Sequence, residues 1–131
     1  MPTAAKVAKI LGVTETSSLA SSEIQAELLS EALNSASVGF LVWDEDRRYI
    51  AANPAACEIL GTTLDELLGQ PVGGHTVDGL DAIDEALGKG FSTGRAVVER
   101  FDGKGRMEIF NATFTTRTAG MPFMATVIAP L

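Results

Sequence analysis

The sequence predicts an α+β domain built on one antiparallel sheet. Residues 38–43 (VGFLVW) and 48–52 (RYIAA) read as two short apolar strands joined by the acidic turn Asp44-Glu45-Asp46-Arg47. Residues 95–101, 106–116 and 121–129 read as three more strands separated by short turns. Between these sets lie three short helical patterns. Two strands, a helical crossover and three strands suggest a five-stranded sheet with the crossover on one face.

Composition sets outer bounds. At 131 residues the chain is one domain on length and can bury a core without staples. A net charge of −7 with no basic stripe disfavours a nucleic-acid partner, because phosphate binding needs clustered Lys and Arg. Cys57 is the single cysteine, so no intramolecular disulfide can form, and a cytoplasmic setting is expected. No apolar run approaches the roughly 20 residues of a membrane span, and no secretory signal is evident.

Residues 1–20 read as an amino-terminal extension, with two helical turns over Ala4–Leu11 stopped by Gly12. Its VAKILGVTETS stretch is too short and too poor in bases for a helix-turn-helix. Residues 21–35 hold an amphipathic helix over 22–34, with Ser22 and Gln25 as a capping box. Ile24, Leu28, Leu29 and Leu33 share its apolar face. A helix this short must dock to persist, and that face is the expected dimer interface.

Within 38–43, Gly39, Leu41 and Trp43 oppose Val38, Phe40 and Val42. Asn53-Pro54 then opens a helix: Asn53 caps it, and Pro54 occupies the first helical position, where a missing N–H costs nothing. Gly61 closes that helix. Thr63 with Glu66 caps a second, which Gly69 ends. QPVGGHTV (70–77) reads as a loop. Asp78 is the expected cap of a third helix, with Leu80, Ile83 and Leu87 inward. Asp102-Gly103-Lys104-Gly105 and Ala119-Gly120 are turns of the strand meander.

The run YIAANPAACEILGTTLDELLGQPV and the FDGKG hairpin resemble the PAS domain family, the sensor modules of bacterial kinases, phosphatases and cyclic-nucleotide enzymes. The likeness covers about residues 36–131. It implies a five-stranded antiparallel sheet of order 2-1-5-4-3 and a cavity between the sheet and the crossover helices. It also implies pairing of two subunits through the preceding helix, and a partner signalling domain of kinase, phosphatase or cyclase type. Members that signal onward continue past the last strand into a linker helix; the sequence fits either a fragment or a free-standing module.

His75 stands where some haem-binding relatives take an axial ligand, but two neighbouring glycines give it no supporting chemistry, so a haem is not expected. Cys57 lies outside the Asn-Cys-Arg-Phe-type motif of light-sensing relatives and has no basic neighbour, so a photoreactive flavin is not expected. Asp81, Asp84 and Glu85 read as a solvated helix face, not a metal site. No nucleophile has a histidine partner, so an enzyme is not expected. On the long strand, Met107, Ile109, Asn111, Thr113 and Thr115 share one face and Phe110 and Phe114 the other; the sequence leaves open which faces inward. Phe110, Phe114, Met124 and Ile128, with Asn111 and Cys57, are the candidate pocket residues for an apolar small molecule. Two functions follow: a small-ligand sensor that modulates a signalling partner, or a ligand-free dimerisation module with a filled core.

Overall fold

The computed structural model describes residues 19–118 and 120–131. The reading of Ala4–Leu11 and Gly12 lies outside the described residues. The chain divides into two compact units, one ending at Asn34 and the other spanning Ser35–Leu131.

The first unit contributes helix α1 (Ser22–Ser35). Its amino end is held by Ser21 rather than Ser22: Ser21 Oγ accepts from Ile24 N at 3.3 Å, and Gln25 Nε2 reaches back to Leu19 O at 2.6 Å. Only the serine half of the expected box is present, moved by one residue; Gln25 donates to a carbonyl instead of accepting from the cap residue's N–H. None of its residues is buried, and Leu29 is 62 % exposed.

The second unit is one six-stranded antiparallel sheet with helices on its inner face. Its elements are β1 (Gly39–Trp43), β2 (Tyr49–Ala52), α2 (Pro54–Leu60), α3 (Leu64–Leu67), β3 (Thr76–Asp78), α4 (Asp81–Lys89), β4 (Phe91–Glu99), β5 (Arg106–Thr118) and β6 (Met121–Pro130). The strand order is β2-β1-β6-β5-β4-β3. The five anticipated strands keep the order implied by the resemblance. The sixth, β3, adds an edge where a loop was expected: Thr76 pairs with Val98 and Asp78 with Val97. Asp78 is therefore a strand residue, not a cap. Helix α4 begins at Asp81 behind Leu80, with no side-chain cap. Leu80 and Leu87 are exposed, and Ala86 is the buried residue of α4, with Ile83 partly buried beside it.

Why the second strand turns into a helix is local chemistry. Asn53 N donates to Phe40 O at 3.0 Å, the last backbone rung toward β1. Its side chain then replaces the next rung: Oδ1 accepts from Phe40 N at 2.8 Å, and Nδ2 donates to Val38 O at 3.0 Å. The same Oδ1 caps α2 by accepting from Ala56 N at 3.0 Å. Gly39 makes the close approach of α2 possible. A Cβ there would lie 2.5 Å from Ile128 Cγ1 and 2.9 Å from Ala56 Cα.

The inner face of the sheet packs on α2 and α3 through Leu41, Ile109 and Ile128 against Ala56, Leu60 and Leu67. A second cluster joins Trp43 and Met124 to Ala86. At the far end of α2, Phe101 N donates to Leu60 O at 2.8 Å, and Arg100 Nη1 donates to Glu58 O and Ile59 O. Asp102 holds that guanidinium at 2.9 Å, and the ion pair in turn keeps the Asp102 carboxyl down at about 2.

Asn53→Ala is expected to destabilise the fold by roughly 3 kcal/mol: about 1 for the lost cap, and the remainder for leaving Phe40 N–H and Val38 C=O without their partner. Urea denaturation checks this. A loss of about 1 kcal/mol or less would show that only the cap matters.

Candidate functional site

The residues between α3 and α4 build one wall of a cavity. Gly69 N donates to Tyr49 O at 2.9 Å, Tyr49 N to Gln70 O at 3.1 Å and Val72 N to Arg47 O at 2.8 Å. These bonds fasten the segment to the free edge of β2. From His75 onward it joins the other edge of the sheet, where Glu99 N donates to His75 O at 2.8 Å and β3 pairs with β4. The segment thus spans the concave face of the sheet. Gly73, at φ 82°, lies under α4: a Cβ there would fall 2.7 Å from Ile83 Cδ1 and 2.8 Å from Leu80 Cδ2. Only glycine fits both the backbone and the space.

Beneath this segment is a cavity of about 70 Å³. Leu41, Leu60, Ala96, Val98, Ile109 and Ile128 supply its apolar walls, and Asn111, Thr113, Thr126 and Tyr49 supply polar groups. No Asp, Glu, Lys or Arg lines it among the described residues. Trp43 Nε1 donates to Thr126 Oγ1 at 3.0 Å, and Thr126 Oγ1 lies 2.9 Å from Thr113 Oγ1. Asn111 is 8 % exposed, and its amide makes no side-chain hydrogen bond among the described residues. Ser92 Oγ, opposite Thr113 on β4, is buried and unpaired among the described residues as well.

The expected pocket residues separate in space. Asn111 and Ile128 line the cavity. Phe110 and Phe114 lie on the opposite face of β5, and Phe110 is 41 % exposed. Met124 is buried in the Trp43 cluster, and Cys57 packs partly buried against the main core; neither lines the cavity. Burial pushes the Cys57 thiol up, away from reactivity. His75 lines the cavity with its ring stacked on Phe101, centroids 3.7 Å apart and planes 10° apart. Asp84 pairs with Arg47 and Glu85 with Lys89 at the surface, and no group of three metal-ligating side chains occurs among the described residues.

Thr113, Thr126 and Tyr49 were missed, and a signal for the threonines existed. Thr118 stands opposite Met121, which sets Thr115 against Met124, Thr113 against Thr126 and Asn111 against Ile128. Directly opposed residues share a face. Ile128 therefore belongs with Asn111 and the threonines, not with Phe110 and Phe114.

Tyr49 is the only tyrosine in the chain. Burial pushes its hydroxyl up to about 12, outweighing the Gly73 N–H that donates to the phenolic oxygen. The neutral form is thus favoured in the folded state. The stability this contributes is complete below the ordinary value near 10 and is lost as pH rises toward about 12. Phenolate absorbance should titrate near pH 12 in the folded protein. Tyr49→Phe should flatten the alkaline decline in stability between pH 10 and 12. Titration of the folded protein near pH 10 would contradict the buried placement.

A family model for the PAS domain matches residues 27–97. Solved structures share the fold. The PAS domain of an HTR-like protein from Haloarcula marismortui superposes with a TM-score of 0.70 at 17 % identity, covering 83 % of this chain and 93 % of that one. A PAS domain from a two-component sensor histidine kinase gives 0.72 at 15 % identity, covering 85 % and 100 %. The PAS domain of nitrogen regulation protein NR(II) from Vibrio parahaemolyticus gives 0.69 at 16 %, covering 79 % and 98 %. No curated protein matches the chain. With more than half of its length matched by the family model, on a sheet of the same architecture as these structures, the chain belongs to the PAS domain family.

Proposed function

We propose that this chain is a sensory PAS module that binds a small ligand in the cavity over β5 and β6 and modulates a signalling partner. The observation that carries this reading is the cavity itself: a concave, mostly apolar site with a few converging polar groups. Two features support signal transfer. The wall segment is attached to both edges of the sheet, so a ligand that moves it moves β2 and β4 together. The kinase origin of one structural neighbour, a sensor histidine kinase, fits a kinase-type partner. No helix among the described residues is long and apolar enough to cross a membrane, which is compatible with the cytoplasmic setting expected from the sequence.

Self-association through α1 is the second part of the proposal. Leu29 and Leu33 are 62 % and 36 % exposed, and each leucine buried at an interface contributes roughly 1.5–3 kcal/mol. A two-fold contact uses each residue twice. Ile24 and Leu28 continue the same stripe.

Native and denatured masses of the protein purified under mild conditions test the ligand reading. A mass difference that disappears on denaturation is expected; identical masses from several preparations would favour a ligand-free interaction module. Sedimentation of the intact chain tests the second part. A dimer at high micromolar concentration, converted to monomer by Leu29→Glu, is expected, and a monomeric wild-type chain would refute it.

A further inference from the structure

We propose that the cavity selects a small neutral carboxamide and that Asn111 is the residue that recognises it, an inference that rests on the ligand-sensing reading above. It starts from an imbalance of hydrogen-bonding groups. Asn111 carries two donors and an acceptor in one plane, is 8 % exposed, and spends none of them on a protein side chain among the described residues. The amide is open to the cavity, so an occupant of that space can serve as its partner. The neighbouring threonines add to the excess. Trp43 N–H and the two hydroxyls supply three protons, and only two bonds connect these groups, Trp43 to Thr126 and Thr113 with Thr126. Whichever threonine donates to the other, one hydroxyl proton is left to give.

A ligand that answers both demands has a carbonyl oxygen to accept from Asn111 and a threonine hydroxyl, and an N–H to donate back to Asn111. A carboxamide has this pattern, and two carboxamides pair through two parallel hydrogen bonds whichever way the Asn111 side chain is turned. Charge points to a neutral molecule. The wall carries no Lys or Arg, and its one imidazole, His75, is stacked flat on Phe101, so a carboxylate would find no fixed counter-charge. Without Asp or Glu an ammonium fares no better. Size restricts it further. A cavity of about 150 Å³ holds benzene, so the space here, about 70 Å³, suits a molecule of about three or four heavy atoms. Leu41 and Ile128 flank the site and suit a methyl group beside the amide.

The test is a titration of the intact chain with acetamide, followed by amide NMR, with dissolved xenon as an apolar probe of the same space. Saturable shifts at the Asn111 side-chain amide and at Thr113 and Thr126 are expected. Asn111→Leu, nearly equal in size, should weaken acetamide about tenfold while keeping xenon. Thr113→Val should weaken acetamide by a smaller factor, which guards against a fold defect in the first variant. Equal acetamide affinity in wild type and Asn111→Leu overturns the proposal. Xenon binding without acetamide binding also overturns it, yet leaves the cavity open to other ligands and the sensor reading standing. Failure of both probes, together with identical native and denatured masses, removes the sensor reading too.

Discussion

The architecture depends on how the chain leaves β2. A strand that becomes a helix abandons its ladder, and the adjoining strand is left with backbone groups facing nothing. Asn53 resolves this with one side chain, because its amide has both a donor and an acceptor. The carbonyl serves Phe40 N–H and Ala56 N–H together, and the NH2 serves Val38 C=O. A buried orphan among these would cost roughly 1–3 kcal/mol. Aspartate could cap α2 as well, but its ionised carboxylate has no proton to donate to Val38 C=O. The junction fixes α2 against the inner face, and Gly39 lets it come close enough for Ala56 to be fully buried. The Arg100–Asp102 turn then secures the other end of α2 through its last carbonyls.

With α2 anchored at both ends, the remaining concave surface is closed by the segment from Gly69 to β3. Apart from Gln70 N, which donates to Leu67 O at the end of α3, its hydrogen bonds beyond the segment go to the two outer sides of the sheet. That attachment leaves space between the segment and the middle strands, where the side chains change character. Toward α2 they are Leu41, Ile109 and Ile128; deeper along β5 and β6 they are Asn111, Thr113 and Thr126. A filled apolar core would place aliphatic residues at these positions too. Polar groups there reduce packing stability and are difficult to explain by folding alone, whereas recognition of a polar ligand accounts for them.

Much of this was legible in the sequence, for reasons that are local. Asn53-Pro54, Thr63 and Gly61 announce helix ends through chemistry confined to a few residues, and the structure shows each in place, with Gly61 at φ 72°. The reversal between the last two strands was legible too, but the register it sets, with Thr118 opposite Met121, was not drawn from it. What misled was side-chain size. Phe110 and Phe114 are the largest residues of β5 and seemed the natural lining, but Asn111 and Thr113 are the buried ones. Apolar residues on both faces of a strand remove the usual inside–outside signal. Strand β3 was illegible because three residues with an exposed valine carry no periodicity. The cap expected at Asp78 failed for the same reason: pairing with β4 claimed its backbone first. The cavity itself depends on contacts between residues as distant in sequence as Trp43 and Thr126, which no local pattern encodes.

The central claim is that the space beneath the Gly69–Thr76 segment is a ligand site coupled to both edges of the sheet. Hydrogen–deuterium exchange of the intact chain, as purified from cells and again after stripping by unfolding and refolding, tests it most directly. The account predicts faster exchange after stripping at the backbone amides of residues 69–79 and of the β4 and β2 edges they bond, with α2 unchanged. Identical exchange in the two preparations, or a change confined to α1, would contradict it.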